Sequence, residues 1–191
     1  GVPPLEAGPS TVEDNGNGSL MRVLPLALWH QGEDPILMHD ATRQALLTHG
    51  HIRSRICSAI YCTWARAALE GAQDAWTEAA RRVNRVAFGQ DDSFMHLLPP
   101  YAGKPSGTGY VVDSLLSARW AVQKGSSYEE VVRLAISLGN DTDTTACLAG
   151  GIAGIQYGIQ GIPERWREAL RGGEILRPLV EGLLAHVQEA G

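Results

Sequence analysis

The chain has 191 residues, 44% of them hydrophobic, and that suffices to bury a core as one domain. A formal net charge of -5, with arginines scattered rather than clustered, provides no basic footprint for a nucleic-acid backbone, so nucleic acid is not an expected partner. The most apolar stretch, 144–159, is broken by Gly150, Gly151, Gly154, Gln156 and Gly158, which excludes a membrane-spanning helix. No basic, apolar leader opens the sequence, so export is not expected. Cys57, Cys62 and Cys147 form neither an even disulfide set nor a C-x-x-C pair, which fits reduced thiols in a cytoplasm.

In chain order, residues 1–18 are rich in Gly, Pro, Ser, Asp and Asn and read as a surface loop. A first helix is expected from near Ser19, through Leu20, Val23, Leu24, Leu26 and Leu28, to Gly32, with Pro25 tolerated in its first turns. A second runs from Pro35 to Thr48, Pro35 suiting the first helical position and Gly50 the exit. The third, 52–69, has an amphipathic pattern closed by Gly71.

The fourth, 73–88, carries Trp76, Ala79, Ala80, Val83 and Val86 on one side and turns Arg81, Arg82 and Arg85 toward solvent. Prolines and glycines between Gly89 and Gly109 predict a loop. Helices then follow at 111–123, 128–138, 144–159, 163–170 and 175–190, and no strand-like alternation of useful length occurs. The expected class is all-α, with eight or nine helices and no internal repeat.

Chemistry concentrates at 137–145, Ser-Leu-Gly-Asn-Asp-Thr-Asp-Thr-Thr, where two carboxylates and several hydroxyls crowd the mouth of a small-residue helix. Asp141, Asp143 and Thr144 could converge on a hard cation such as Mg²⁺ or Mn²⁺, which prefers oxygen ligands. The plainer alternative is that Asn140, Asp141 or Asp143 caps the helix. A second stretch, Asn15-Gly16-Asn17-Gly18-Ser19-Leu20-Met21-Arg22, sets an amide-rich turn that could hold phosphate on its N–H groups, or serve only as a turn and cap. Thr48-His49 at a helix end and Gly107-Thr108-Gly109-Tyr110-Val111 before another are fainter signals.

Taken in order, these stretches resemble the ADP-ribosylglycohydrolase family. The likeness lies in Gly16-Asn17-Gly18-Ser19-Leu20-Met21-Arg22-Val23-Leu24-Pro25-Leu26, Thr48-His49, Gly107-Thr108-Gly109-Tyr110-Val111-Val112 and Leu138-Gly139-Asn140-Asp141-Thr142-Asp143-Thr144. It continues through Ala149-Gly150-Gly151-Ile152-Ala153-Gly154, Tyr157-Gly158 and Ile162-Pro163 with Trp166. The resemblance implies a compact orthogonal helical bundle that hydrolyses the glycosidic bond between ADP-ribose and an acceptor, a protein side chain or a small derivative. It implies two Mg²⁺ or Mn²⁺ ions, held in part by Asp141, Asp143 and Thr144. Asn17, Gly18, Ser19, Met21 and Arg22 would hold the diphosphate and reacting ribose, and His49, Gly107, Gly109 and Tyr110 would line the cleft.

Two departures stand out. Asn140 replaces the second glycine of the commoner Gly-Gly-Asp-Thr-Asp-Thr form, a change that asparagine's tolerance of unusual backbone angles should absorb. The family also begins with roughly 100 further residues that carry a candidate acid/base and the remaining metal aspartates. The chain is therefore expected to be the C-terminal part of the domain, inactive alone, with exposed apolar surface that pairs with the N-terminal part or with a second copy. A non-catalytic relative that binds ADP-ribose or is purely structural is the rival reading.

Overall fold

The computed structural model describes residues 1–87 and 104–189, and most of the loop expected between Gly89 and Gly109 lies outside them. Among the described residues the protein is all-α, with one isolated backbone bridge and nine α-helices. They are α1 (Leu24–Trp29), α2 (Asp34–Leu46), α3 (Ile52–Leu69), α4 (Ala75–Ala87), α5 (Val111–Lys124), α6 (Tyr128–Ile136), α7 (Thr142–Gly161), α8 (Glu164–Glu168) and α9 (Gly173–Glu189). No helix among them is long and apolar enough to cross a membrane.

Helix α3 is the hub, packed by α1, α2, α4, α5 and α7. Its sequence suits that place, because apolar or small residues occur on every side of it and twelve of its residues are buried. Trp64 and Tyr61 are the largest fully buried side chains, and Trp64 meets Trp76 of α4 edge to face at 5.1 Å. Tyr61 Oη donates to the Leu148 carbonyl of α7 at 2.9 Å, satisfying the phenol in the core. That approach depends on Gly151, since a Cβ there would lie 2.8 Å from Tyr61 Oη and 2.7 Å from Leu24 Cδ2. The small-residue run of α7 thus lets two neighbours reach its backbone.

The first helix begins five residues later than expected. Residues 17–22 are wound instead as turns, with the Leu20 and Met21 amides both bonded to the Asn17 carbonyl. A helix from Ser19 would have placed Pro25 in its interior, where the missing N–H breaks a hydrogen bond, whereas starting at Leu24 puts Pro25 in the first turn. Leu20 and Val23 are buried all the same.

Two further expectations change. Arg82 is not turned to solvent: it sits among Glu70 (2.6 Å), Glu78 (2.7 Å) and Asp34 (3.7 Å) with its side chain 16% exposed. Helix α7 runs to Gly161 across a kink at Gly158, where φ is +65°. Helix α9 leans on α1 through a stacked Trp29–His186 pair, 4.9 Å between centroids, and leaves Ile175, Leu176, Leu179, Val180, Leu184 and Val187 exposed.

Candidate functional site

Three segments distant in sequence meet at the N-terminal mouth of α7. The turn 15–22 joins the loop before α5 through a Gly16–Tyr110 bridge and a hydrogen bond from the Val111 amide to the Asn15 carbonyl, 3.0 Å. That loop joins the start of α7, because the Asp141 amide donates to the Gly107 carbonyl at 2.8 Å and Asn140 Nδ2 to the Ser106 carbonyl at 2.9 Å. The chain must bend sharply to do this: Gly107 has φ +67°, Gly139 +76° and Asn140 +55°. Asn140 thus adopts the left-handed backbone expected of it, a conformation that asparagine tolerates better than most residues.

Asp141 occupies the N-cap position of α7, yet its side chain makes no capping bond. Its Oδ2 instead accepts a hydrogen bond from Asn17 Nδ2 at 2.6 Å, and the same amide nitrogen donates to Ser114 Oγ at 2.8 Å. Burial raises the Asp141 carboxyl, but the hydrogen bonds it accepts, the Asn17 amide foremost, bring it below the usual carboxylate value, so it is held ionised. Gly109 lies beside it, where an added Cβ would be 3.5 Å from Oδ2. Asp143 is exposed and Thr144 is buried.

His49, at the end of α2, lies over the amide-rich turn. Its ring is so close to Gly18 that a Cβ there would lie 2.7 Å from Cε1, and Gly16 is next to it. Burial, then the nearby Arg22 charge, lowers its pKa, which favours the neutral ring. Thr48 Oγ1 bonds its Nδ1 at 2.8 Å. Tyr110 is half-buried at the N-cap of α5, with the Arg53 guanidinium 5.8 Å from its ring centre.

The remaining expected residues are placed less directly. Ser19 is fully buried, 3.4 Å from Ser58 of α3, so its hydroxyl faces the core. Arg22 is exposed and tied to Gln44 of α2 through its Nε and Nη2. Met21 is 41% exposed, and its carbonyl accepts the Cys147 thiol at 3.8 Å.

Residues that sequence reasoning passed over hold these parts together. Asp113 takes the Ser106 amide and both the amide and hydroxyl of Thr108, Ser114 bonds the Thr108 and Tyr110 carbonyls, and Ser54 bonds the Gly16 carbonyl. An acid in the first turn of a helix, five residues after a threonine in a glycine loop, was the available signal.

In kind, the donors at the mouth of α7 suit a hard cation, being two carboxylates and a hydroxyl. Among the described residues no group of three or more His, Cys, Asp or Glu side chains comes together, so further oxygens would have to come from water, substrate or other polypeptide. A separate cleft of about 690 Å³ is lined by Asp34, Arg66, Glu70 and Arg82. The guanidiniums of Arg66 and Arg82 are already paired with acids, so it offers no comparable site.

An all-helical bundle whose glycine-rich and amide-rich turns meet at Asp141 defines a class of helical proteins with an acidic site at a helix mouth. The chain belongs to the ADP-ribosylglycohydrolase family, whose profile matches residues 1–191. It is 31% identical over 180 residues to the ADP-ribosyl-dinitrogen reductase glycohydrolase of Rhodospirillum rubrum, covering 93% of this chain and 58% of that protein. It is 27% identical over 184 residues to the ADP-ribosylarginine hydrolase Tri1 of Pseudomonas putida (strain GB-1), covering 92% and 46%. A solved structure described as an ADP-ribosylglycohydrolase-related protein complex resembles it with TM-score 0.78 at 31% identity, over 95% of this chain and 62% of that one. The chain spans about half the length of the curated relatives it matches.

Proposed function

We propose that this chain forms part of an enzyme that hydrolyses the glycosidic bond between ADP-ribose and an acceptor. The observation that carries this reading is the Asn17–Asp141 hydrogen bond, which draws an amide-rich turn and an acidic helix mouth into one site. Asp141, Asp143 and the Thr144 hydroxyl would hold Mg²⁺ or Mn²⁺, two ions in the complete site. When bound, such ions would grip the ribose hydroxyls and position the attacking water.

The chain's own residues then have distinct tasks. Asn17, Gly18, Met21 and Arg22 would orient the diphosphate and ribose, Gly18 leaving room for the neutral His49 ring over the turn. Gly109 and Tyr110 would form the opposite wall. The carboxylates hold and orient rather than attack, and the acid/base would come from a further segment of the family domain. Three unpaired cysteines fit a reducing cytoplasm. Arginine is the first acceptor to test, since it stands in the name of the Pseudomonas relative.

Calorimetry with Mn²⁺ and ADP-ribose, on this chain and on a polypeptide extended to the length of the Rhodospirillum relative, tests the reading. Metal-dependent ADP-ribose binding in either supports it, and in the extended form Asp143→Asn should cut release of ADP-ribose from ADP-ribosylarginine by orders of magnitude. Folded protein that binds neither ligand in both forms would overturn it. That outcome would favour a structural relative without catalysis.

A further inference from the structure

Asp113 is the most conspicuous buried charge that the functional reading leaves without a task. It is 5% exposed, in the first turn of α5. Its partners among the described residues are neutral donors: the Ser106 amide on Oδ1 (3.1 Å), and the Thr108 amide (2.6 Å) and hydroxyl (2.8 Å) on Oδ2. Burying a carboxylate is costly unless every lone pair facing the protein is engaged, and here one short loop engages it three times.

The loop so gripped is the one that touches Asp141. The carbonyl of Gly107, between the two Asp113 partners, accepts the Asp141 amide, and Gly109, two residues further, lies where an added Cβ would be 3.5 Å from Asp141 Oδ2. The neighbouring Ser114 completes the frame from the other side. Its hydroxyl lies 2.8 Å from the Thr108 carbonyl and 2.8 Å from Asn17 Nδ2, the group that also holds Asp141. One helical turn therefore braces the backbone under Asp141 and the amide across from it.

We infer that Asp113 is a positioning residue: by clamping residues 106–108 it sets where the Asp141 carboxylate stands, and so governs cation and ADP-ribose binding at the α7 mouth. This rests on the functional reading above. The geometry asks for an acid rather than an amide, because donors approach both oxygens. Asparagine in either orientation would face one of those amides with an N–H of its own.

The test is ¹⁵N NMR and Mn²⁺ titration of the 191-residue chain and its Asp113→Asn variant. The expected result is faster exchange of the Ser106 and Thr108 amides, a shifted Asn17 side-chain amide resonance, and Mn²⁺ affinity reduced at least about tenfold, with helical content unchanged. Freed loop amides with an unmoved Asn17 resonance and unaltered Mn²⁺ affinity would reduce Asp113 to a loop anchor and overturn the inference. If the unmodified chain binds no Mn²⁺, the same titration is made on the extended polypeptide; no binding there either fails the functional reading, and the Asn17 resonance then judges the positioning role. Should Asp113→Asn not fold, Thr108→Val removes only the hydroxyl bond. A severalfold weaker Mn²⁺ affinity with the Asn17 resonance displaced supports the inference, and no change in either overturns it.

Discussion

Asn17 Nδ2 and Asp141 Oδ2 meet at 2.6 Å across 124 residues of sequence. Asp141 makes no side-chain cap on its own helix, and the Thr145 hydroxyl bonds the Asp141 carbonyl. Asn17→Ala should therefore destabilise the fold by about 1–2 kcal/mol, the worth of a hydrogen bond to a partly exposed charge. Urea denaturation measures this, and an unchanged midpoint would show the contact to be incidental.

Two glycines make a matched pair of substitutions with opposite signs. Gly107 has φ +67°, and a Cβ there would lie 2.8 Å from Leu138 Cβ and 2.9 Å from the Gly139 carbonyl oxygen, so Gly107→Ala meets both strain and backbone. The expected loss is about 1–3 kcal/mol, from a conformation alanine adopts poorly. Gly182 lies within α9 with nothing within 4 Å of an added Cβ, so Gly182→Ala should gain about 0.5–1 kcal/mol from helix propensity alone. Thermal melts of both variants decide the matter, and equal effects would contradict the geometry.

The helix over Ile52–Leu69 was legible to the residue, because its apolar pattern, its start after His51 and its stop before Gly71 agree with one another. The start of α1 was not, because Leu20 and Val23 keep helical spacing while being buried from turns. The site was legible as segments and not as contacts. Nothing in the local pattern of Asn15-Gly16-Asn17 tells which carboxylate, more than a hundred residues away, its amide will reach. Asp113 was hidden for a related reason: it follows Val111-Val112 in a helix that reads as core, and its role is set by a loop that turns back over it.

His49 should report the state of the amide-rich turn. Burial and Arg22 favour its neutral form, so its NMR titration should fall below the ordinary histidine value. A pKa lowered by folding contributes stability that is present above the unfolded value and lost as pH falls through the folded one. The stability difference between the unmodified protein and His49→Gln should thus move against the unmodified protein as pH drops from about 7 to 5. Gly18→Ala, whose methyl would collide with Cε1, should displace the ring and return its titration to the ordinary value. A ring that titrates normally in the unmodified protein would disprove the contact.

The Arg82 cluster carries the clearest pH signature outside the site. Its guanidinium is flanked by Glu78 of α4, Asp34 of α2 and Glu70 at the end of α3, and Arg66 also pairs with Asp34. The hydrogen bonds from Arg82 and Arg81 hold the Glu78 carboxyl below its usual value, so this pairing stabilises the fold above that value and weakens as acid protonates the carboxylate. Arg82→Met keeps much of the side-chain volume and removes the charge, leaving Glu70 without this partner, Asp34 with Arg66 and Glu78 with Arg81. Its melting temperature should fall most at neutral pH, and the gap to the unmodified protein should narrow on going to about pH 4, where the acids begin to neutralise one another's repulsion by protonation. Melts at the two pH values in low salt test this. A gap that stays constant with pH would mean that Arg82 acts through packing of its methylene stem rather than through the three acids.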